Sequence, residues 1–302
     1  EAYPQYDSMN LPSEALAVLK AFPFYERRWP PTMSAILNEY FEAVVSAFYP
    51  ECLTSALRSF QGRVIARAFG RVGTQGYHAL TRLWTNPAEF DELVARHGAR
   101  FTFGQGYSVL SEVEPAMFVT RTSTLPVPAP GWAGAGTSSW TGHARTVLFL
   151  CPVISAHPHY AAHYRTIVEN FGHLPYRIFG KQEGAVPDDK VVGFVPDGEL
   201  LRLYADCAVF AYPWPEPRHL HYSPLEALTV GAPVLYLRGS LLDRLAPGLP
   251  GGCADLTEMR VKAGALIRGD APLSAEIRGA APAILSHFHP DRARAAWAEL
   301  LG

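Results

Sequence analysis

Apolar runs of strand length alternate with amphipathic stretches of helix length along most of the chain, and the alternation comes in two series. In the first, the pattern predicts a strand at 42–48 (EAVVSAF), a helix at 50–60 and a strand at 62–69 (GRVIARAF). Helices at 75–84 and 87–97 and a strand at 100–105 follow, with AMFVT at 116–120 as one more strand. The second series opens after Arg145 with the strand TVLFLCPV and the turn ISAHPHYAAHY, which leads into a helix ending near Gly172. Strands at 175–179 and 190–194, a helix at 197–206 and a strand at 207–212 (CAVFAY) come next. Beyond the polar, proline-rich loop 213–222 lie a short helix from Ser223 to Gly231, the strand 233–237, and helices at 255–268, 271–287 and 291–301, the last with Trp297 on its apolar side. Continuous apolar strands separated by helices argue for an α/β class built on parallel sheets covered on both faces.

Between the two series, Leu125 to Gly142 is rich in Pro, Gly, Ser and Thr and nearly free of charge, which reads as a linker with a hinge. The expected division is residues 1–124, a linker at 125–144, and residues 145–302; a chain of 302 residues gives each part enough length for its own core. Pro4, Pro12, Pro23, Pro30 and Pro31 make residues 1–35 irregular apart from a helix at 13–21. Because the chain opens without methionine and on this proline-dotted segment, the first domain reads as shortened or truncated.

Composition narrows the function classes. A net charge of −2 with 18% charged and 48% hydrophobic residues lacks the basic excess of a nucleic-acid surface, so nucleic acid is not an expected partner. No apolar stretch reaches the length of a membrane span and no leader opens the chain, so a cytoplasmic location is expected, with peripheral membrane contact left open. Cys52, Cys151, Cys207 and Cys253 are scattered without a Cys-x-x-Cys pair and read as reduced core residues.

Chemistry concentrates in HYSPLEALTVGAPVLYL, residues 221–237. Ser223 suits an N-cap, Pro224 the first helical turn, and Glu226 falls three residues after Ser223, so Ser-Pro-Leu-Glu reads as a capping box. A helix that starts just outside the carboxyl end of a buried strand presents N–H groups and a positive dipole end to anions, which predicts a phosphate-bearing ligand. His219 and His221, in the preceding loop, can donate to phosphate oxygens or stand solvated; His-x-His supplies at most two ligands, and no metal is expected. Lys181 follows a strand and a glycine in YRIFGKQ, at the carboxyl edge of the sheet. Gly193 and Phe194 close a strand and read first as a plain strand-to-helix turn with Phe194 in the core. In the first half, Arg67 is the one charge in an otherwise buried strand, which predicts a salt bridge to a protein carboxylate, or else a ligand anion as partner. Glu112 and Glu114, in QGYSVLSEVEP, are both candidates for a base, and nothing in the spacing selects either.

The run from Val191 to Leu237, VVGFVPDGELLRLYADCAVFAYPWPEPRHLHYSPLEALTVGAPVLYL, resembles the nucleotide-sugar glycosyltransferases of GT-B fold, bacterial proteins with a "glycosyl transferases group 1"-like C-terminal domain. Spacing and residue type agree over four consecutive elements, and the likeness runs more loosely through 146–302. The resemblance implies two Rossmann-like domains facing each other across a cleft, the final helix crossing back to the first. The donor then sits mainly on residues 180–226 and a glycan or other hydroxylated acceptor on the first domain, with no cofactor beyond the nucleotide-sugar substrate. Residue by residue, Glu226 carries over as the ribose-binding glutamate, Gly193 and Phe194 as the turn beside the base, and Tyr222 and Ser223 as neighbours of the donor. The family's usual cationic pair in the first C-domain turn is replaced here by His157 and His159, which leaves Lys181 as the substitute on the diphosphate and His157 as a further phosphate or acceptor contact. The sugar-binding glutamate does not carry over: Glu216 and Glu226 have nine residues between them, and Arg218 stands where the first glutamate is expected. His157-Pro158 also resembles the His-Pro motif of transferases that use CMP-activated acidic sugars, which keeps the donor open. A nucleotide-sugar epimerase or hydrolase of the same fold, or a non-catalytic binding module of a larger envelope-polysaccharide protein, remain the alternatives.

Overall fold

The computed structural model describes residues 11–129 and 139–302, and the chain divides into two compact units. One comprises the residues up to Pro126 together with Arg294–Gly302, the other Val127–Ala293.

The first unit holds a four-stranded parallel sheet in the order β1 (Ala43–Ser46), β2 (Arg63–Ala68), β3 (Phe101–Gln105), β4 (Thr122–Thr124). Helix α1 (Ser13–Ala21) precedes the sheet, and α3 (Pro50–Ser59), α4 (Tyr77–Thr81), α5 (Pro87–His97) and α6 (Ala116–Val119) lie between its strands. Two expectations fail here for identifiable reasons. Residues 31–35 are not irregular: Pro30 and Pro31 open helix α2 (Pro31–Tyr40), because a proline at the first helical position loses only an N–H that has no intrahelical partner anyway. Met33 and Leu37, four apart, then bury one face. AMFVT is not a strand. Pro115 caps a single helical turn, and the Phe118 N–H bonds its carbonyl at 2.8 Å. That turn drops Phe118 into the core, stacked on Phe103 at 5.0 Å, and the strand starts only at Thr122.

Arg67 of β2 is buried, and among the described residues the expected carboxylate is not its partner. Its guanidinium donates to the carbonyls of Gly104, at 3.0 Å, and Leu125, and lies against the rings of Phe69 and Trp297. Carbonyl dipoles and ring faces replace the counter-ion, and burial brings its pKa down to about 10, which leaves it charged at neutral pH. Glu114 is likewise structural. Its carboxylate accepts the backbone N–H groups of Tyr77 and, at 3.0 Å, His78, so it caps the start of α4 from a distance in sequence. Glu114→Ala should therefore cost about 1–2 kcal/mol in denaturant unfolding, in the range of a lost helix cap; unchanged stability would show that the two N–H groups find water instead.

The second unit holds a six-stranded parallel sheet made of β5 (Val147–Leu150), β6 (Tyr176–Phe179), β7 (Val191–Gly193), β8 (Val209–Tyr212), β9 (Val234–Leu237) and β10 (Gly252–Cys253). Its order is β7-β6-β5-β8-β9-β10. The chain runs outward from β5 to β7, returns to place β8 beside β5, and then runs outward on the other side; the switch point lies between β5 and β8. On one face Val147, Phe149, Ile178, Val209 and Leu235 pack against α7 (Pro158–Phe171), α11 (Leu256–Arg268) and Ile277 of α12 (Ala271–Leu285). On the other, Phe179 and Phe210 meet Tyr204 of α8 (Asp197–Asp206), which neighbours α9 (Ser223–Val230). Both faces being covered explains the unbroken apolar strands. A short α10 (Leu241–Leu245) and the last helix α13 (Pro290–Leu301) complete the chain. All four cysteines are buried free thiols, and among the described residues no helix is long and apolar enough to cross a membrane.

Candidate functional site

At the switch point two loops leave the carboxyl edge of the sheet side by side, residues 151–157 after β5 and residues 213–222 after β8. The first is held in an unusual backbone path. Val153 has φ +43°, a region that β-branched side chains avoid, and is kept there by its N–H bonding the Lys181 carbonyl at 2.9 Å while its own carbonyl accepts from Ala156 and His157. Gln182 adds a second tie, accepting the Ile154 N–H at 2.9 Å and donating to the carbonyls of Cys151 and Gly180. Only glycine fits at 180, since φ is +130° and a Cβ would meet Pro152 at 2.9 Å.

Above these loops imidazoles and aromatic rings gather around Trp214, which is 2% exposed. His163, from α7, stacks on the indole at 3.6 Å and 26°; His159 and Tyr160 of the same helix and His221 from the β8 loop approach it within 5.5 Å. The Tyr212 hydroxyl accepts the His221 backbone N–H at 3.0 Å and is hydrogen-bonded to its Nδ1 at 2.8 Å, while Nε2 pairs with the Tyr160 hydroxyl at 3.3 Å. Burial pushes the pKa of both His163 and His221 down to about 3, helped by neighbouring imidazoles, so both are neutral at physiological pH. With its two ring nitrogens on tyrosine hydroxyls, His221 has no ring N–H left for a phosphate oxygen in this arrangement. By contrast, Trp214 Nε1, His159 Nε2 and His163 Nε2 are buried with no hydrogen-bond partner among the described residues. Three such nitrogens in one cluster call for a partner, because each costs roughly 1–3 kcal/mol while unpaired.

The start of α9 lies beyond the same loop. Ser223 makes no cap bond, Tyr222 holds the N-cap position, and no capping box forms. The Glu226 carboxylate instead accepts the Tyr204 hydroxyl at 2.7 Å, with the Ser223 hydroxyl also bonded to it. Burial raises the Glu226 pKa, and Asp197 adds to the rise against these two hydrogen bonds. Burial also raises the pKa of Tyr204, which therefore stays protonated and donates. Tyr222 donates its hydroxyl to the Pro128 carbonyl.

The remaining predicted residues fall around these two groups. His157 is exposed at the N-cap of α7, its Nδ1 accepting the His159 N–H at 3.3 Å. His219 packs edge-on against His221 at 4.8 Å. Lys181 is exposed and tied to the β5 loop through its carbonyl. Gly193, at φ +73° with open space where a Cβ would stand, accepts the Gly180 N–H at 2.9 Å. Phe194 is 72% exposed, which corrects its reading as a core residue. Arg67 belongs to the first unit, where its described partners are carbonyls and rings. Among the described residues no three His, Cys, Asp or Glu side chains are grouped to hold a metal ion. Sequence reasoning passed over Tyr160, His163, Tyr204 and Trp214. The available signal was His159 and His163 at a spacing of four on one helix face.

No protein-family model matches the sequence. No curated protein matches it either. Solved structures do. HepE from Anabaena in complex with UDP aligns with 89% of this chain and 80% of its own, at a TM-score of 0.59 and 14% identity. A glycosyltransferase from Rickettsia africae aligns with 97% and 83% at 0.58 and 10% identity, and T4 phage BGT in complex with UDP and Mn2+ with 87% and 83% at 0.54 and 11% identity. The chain has the GT-B fold. In its second unit the His–Trp cluster stands at the switch point of the six-stranded sheet and the Glu226–Tyr204 pair at the start of α9.

Proposed function

We propose that this protein is a glycosyltransferase that moves a sugar from a nucleotide-sugar to a hydroxyl of a bacterial glycan or glycoconjugate, acting in the cytoplasm. The observation that carries the reading is Glu226, a half-buried carboxylate oriented by Tyr204 at the first turn of α9, beside the switch point of a GT-B fold. A carboxylate with one oxygen held by a phenol keeps lone pairs for two vicinal ribose hydroxyls. In this reading Gly193 and Phe194 flank the base, and the exposed ring of Phe194 supplies an apolar surface. The amino ends of α7 and α9, with His157, His219 and Lys181, meet the diphosphate, whose departure carries the developing charge. That arrangement needs no metal.

The test is a thermal-shift panel of UDP-, GDP-, ADP-, TDP- and CMP-sugars with product analysis, UDP first because HepE and T4 BGT were each solved with it. A ligand that binds only the native state raises its melting temperature by mass action. No shift with any member would remove the proposal. Within it, Lys181→Ala should weaken the diphosphate about three- to tenfold and leave the nucleoside unchanged, an exposed cation being worth less than a buried one; equal losses would assign Lys181 to structure. A nucleotide-sugar-binding module without turnover is the second reading, favoured by the neutral His163 and His221, which keep positive charge at the phosphate end thin. It predicts a shift without product. An epimerase or hydrolase would instead change the donor with no acceptor present.

A further inference from the structure

We propose that Gln182 is a positioning residue for the donor's diphosphate, acting through the loop that follows β5. The inference rests on the transfer reading above, which puts the diphosphate at the amino end of α7. That loop delivers the chain to the helix. The Val153 carbonyl accepts the N–H groups of Ala156 and His157, both at 3.1 Å, and α7 starts at the next residue, Pro158. The direction of the first turn of α7 is therefore set at Val153.

Val153 does not hold that setting by itself. Its φ of +43° lies where a β-branched side chain crowds its own backbone, and Arg145 is the one other non-glycine residue with positive φ among the described residues. Such a conformation persists only where the surroundings over-determine it. Two ties reach the loop from the segment after β6, the Lys181 carbonyl on the Val153 N–H and Gln182 Oε1 on the Ile154 N–H, each at 2.9 Å. The first is backbone on both sides; the second is the one a substitution can remove. Gln182 is itself locked, since Nε2 donates to the Cys151 carbonyl at 2.9 Å and to the Gly180 carbonyl at 2.8 Å. These contacts fix the orientation of the amide: turned over, it would set its NH2 against an N–H and its oxygen against two carbonyls. Gly180 in turn donates its N–H to the Gly193 carbonyl at 2.9 Å, so the same side chain links the phosphate loop with the turn assigned to the base.

The test compares Gln182→Met, close in size but without the amide, with wild type on one series: the nucleoside, monophosphate and diphosphate of the base that the panel selects. Gln182→Met should weaken the diphosphate about tenfold and leave the nucleoside within about twofold. Without ligand, amide exchange at Ile154 should quicken about tenfold or more, with that of β5 unchanged. Lys262→Met, which deletes bonds to the Pro250 and Gly252 carbonyls beside β10 at the far edge of the sheet, is the control for general loss of stability and should leave the whole series unchanged. Val153→Gly puts into the left-handed region a residue that needs no holding, and in the Gln182→Met background it should bring the diphosphate back to within about threefold of wild type. Equal losses for nucleoside and diphosphate, unchanged exchange at Ile154, or no rescue by Val153→Gly would each overturn the inference. If Gln182→Met does not fold, Gln182→Glu, which keeps the shape but sets an oxygen against the two carbonyls, decides by the same comparison. A wild type that binds no nucleotide overturns the transfer reading and this inference with it; a wild type that binds the diphosphate no better than Gln182→Met does overturns this inference alone.

Discussion

Between pH 7 and pH 5 the protein should lose about 4 kcal/mol of stability, most of it through two histidines. His163 and His221 have folded-state pKa values of about 3, against about 6.5 in an unfolded chain. Between those values the unfolded chain takes up a proton at each site and the folded one does not, so stability falls as pH falls through that window. At pH 5 each site contributes about 2 kcal/mol to the loss. The cause is geometric. His163 lies flat on the buried Trp214, and His221 gives both ring nitrogens to tyrosine hydroxyls, so an added proton finds neither water nor a carboxylate among their described contacts. His97 and His287, whose pKa values burial also lowers, add in the same direction. Glu226 and Glu114, with raised pKa values, act oppositely, through protonation at more acid pH. Urea unfolding at fixed ionic strength between pH 5 and pH 7.5 measures the slope. His163→Phe, which keeps a flat ring on Trp214, should remove about half of it. Equal stability at pH 5 and pH 7 would mean that the cluster is open to solvent.

How far the sequence led can be judged from residues 191–237. There the strand ends, the helix over Asp197–Asp206, the start at Ser223 and the left-handed Gly231 after α9 were all legible, because each is set by neighbours a few residues away. Glu226 stood out in the sequence, but its partner did not. The Tyr204 hydroxyl lies 22 residues upstream and draws the carboxylate away from the capping box that local spacing predicts. The His–Trp cluster was hidden for the same reason on a larger scale. His163 and Trp214 meet only because β8 returns to pair with β5, a fact of strand order that periodicity does not carry. Arg67 shows the converse. A charge in a buried strand announced an unusual environment, but backbone carbonyls leave no trace in sequence, so a salt bridge was expected where carbonyl bonds stand. Pro30-Pro31 and AMFVT were misread on purely local grounds, the first as a breaker where it is a start and the second by its apolar content despite the proline before it.

Glu226→Gln should weaken the tightest-binding nucleotide-sugar of the panel ten- to a hundredfold, about 1.5–3 kcal/mol, with the melting temperature held or slightly raised. Glutamine keeps one carbonyl oxygen for the Tyr204 hydroxyl, so the internal bond survives. Removing a half-buried negative charge, whose burial already raises its pKa, costs the fold nothing. What is lost is the second acceptor and the charge assistance to two ribose hydroxyls, a loss that appears only when ligand is bound. Tyr204→Phe should give a smaller loss, because the carboxylate remains but its orientation is no longer set. The affinity of the wild type should also fall with pH before that of Glu226→Gln does. The raised pKa places protonation of the carboxyl above the usual glutamate range, and the protonated form has lost its charge and spends one oxygen as a donor. A 2′,3′-dideoxy nucleotide separates this from any structural effect: lacking both hydroxyls, it should bind wild type and Glu226→Gln alike. If the variant binds the intact nucleotide as well as wild type does, Glu226 serves the packing of α9 against α8, and the ribose has to be sought elsewhere along the carboxyl edge of the sheet.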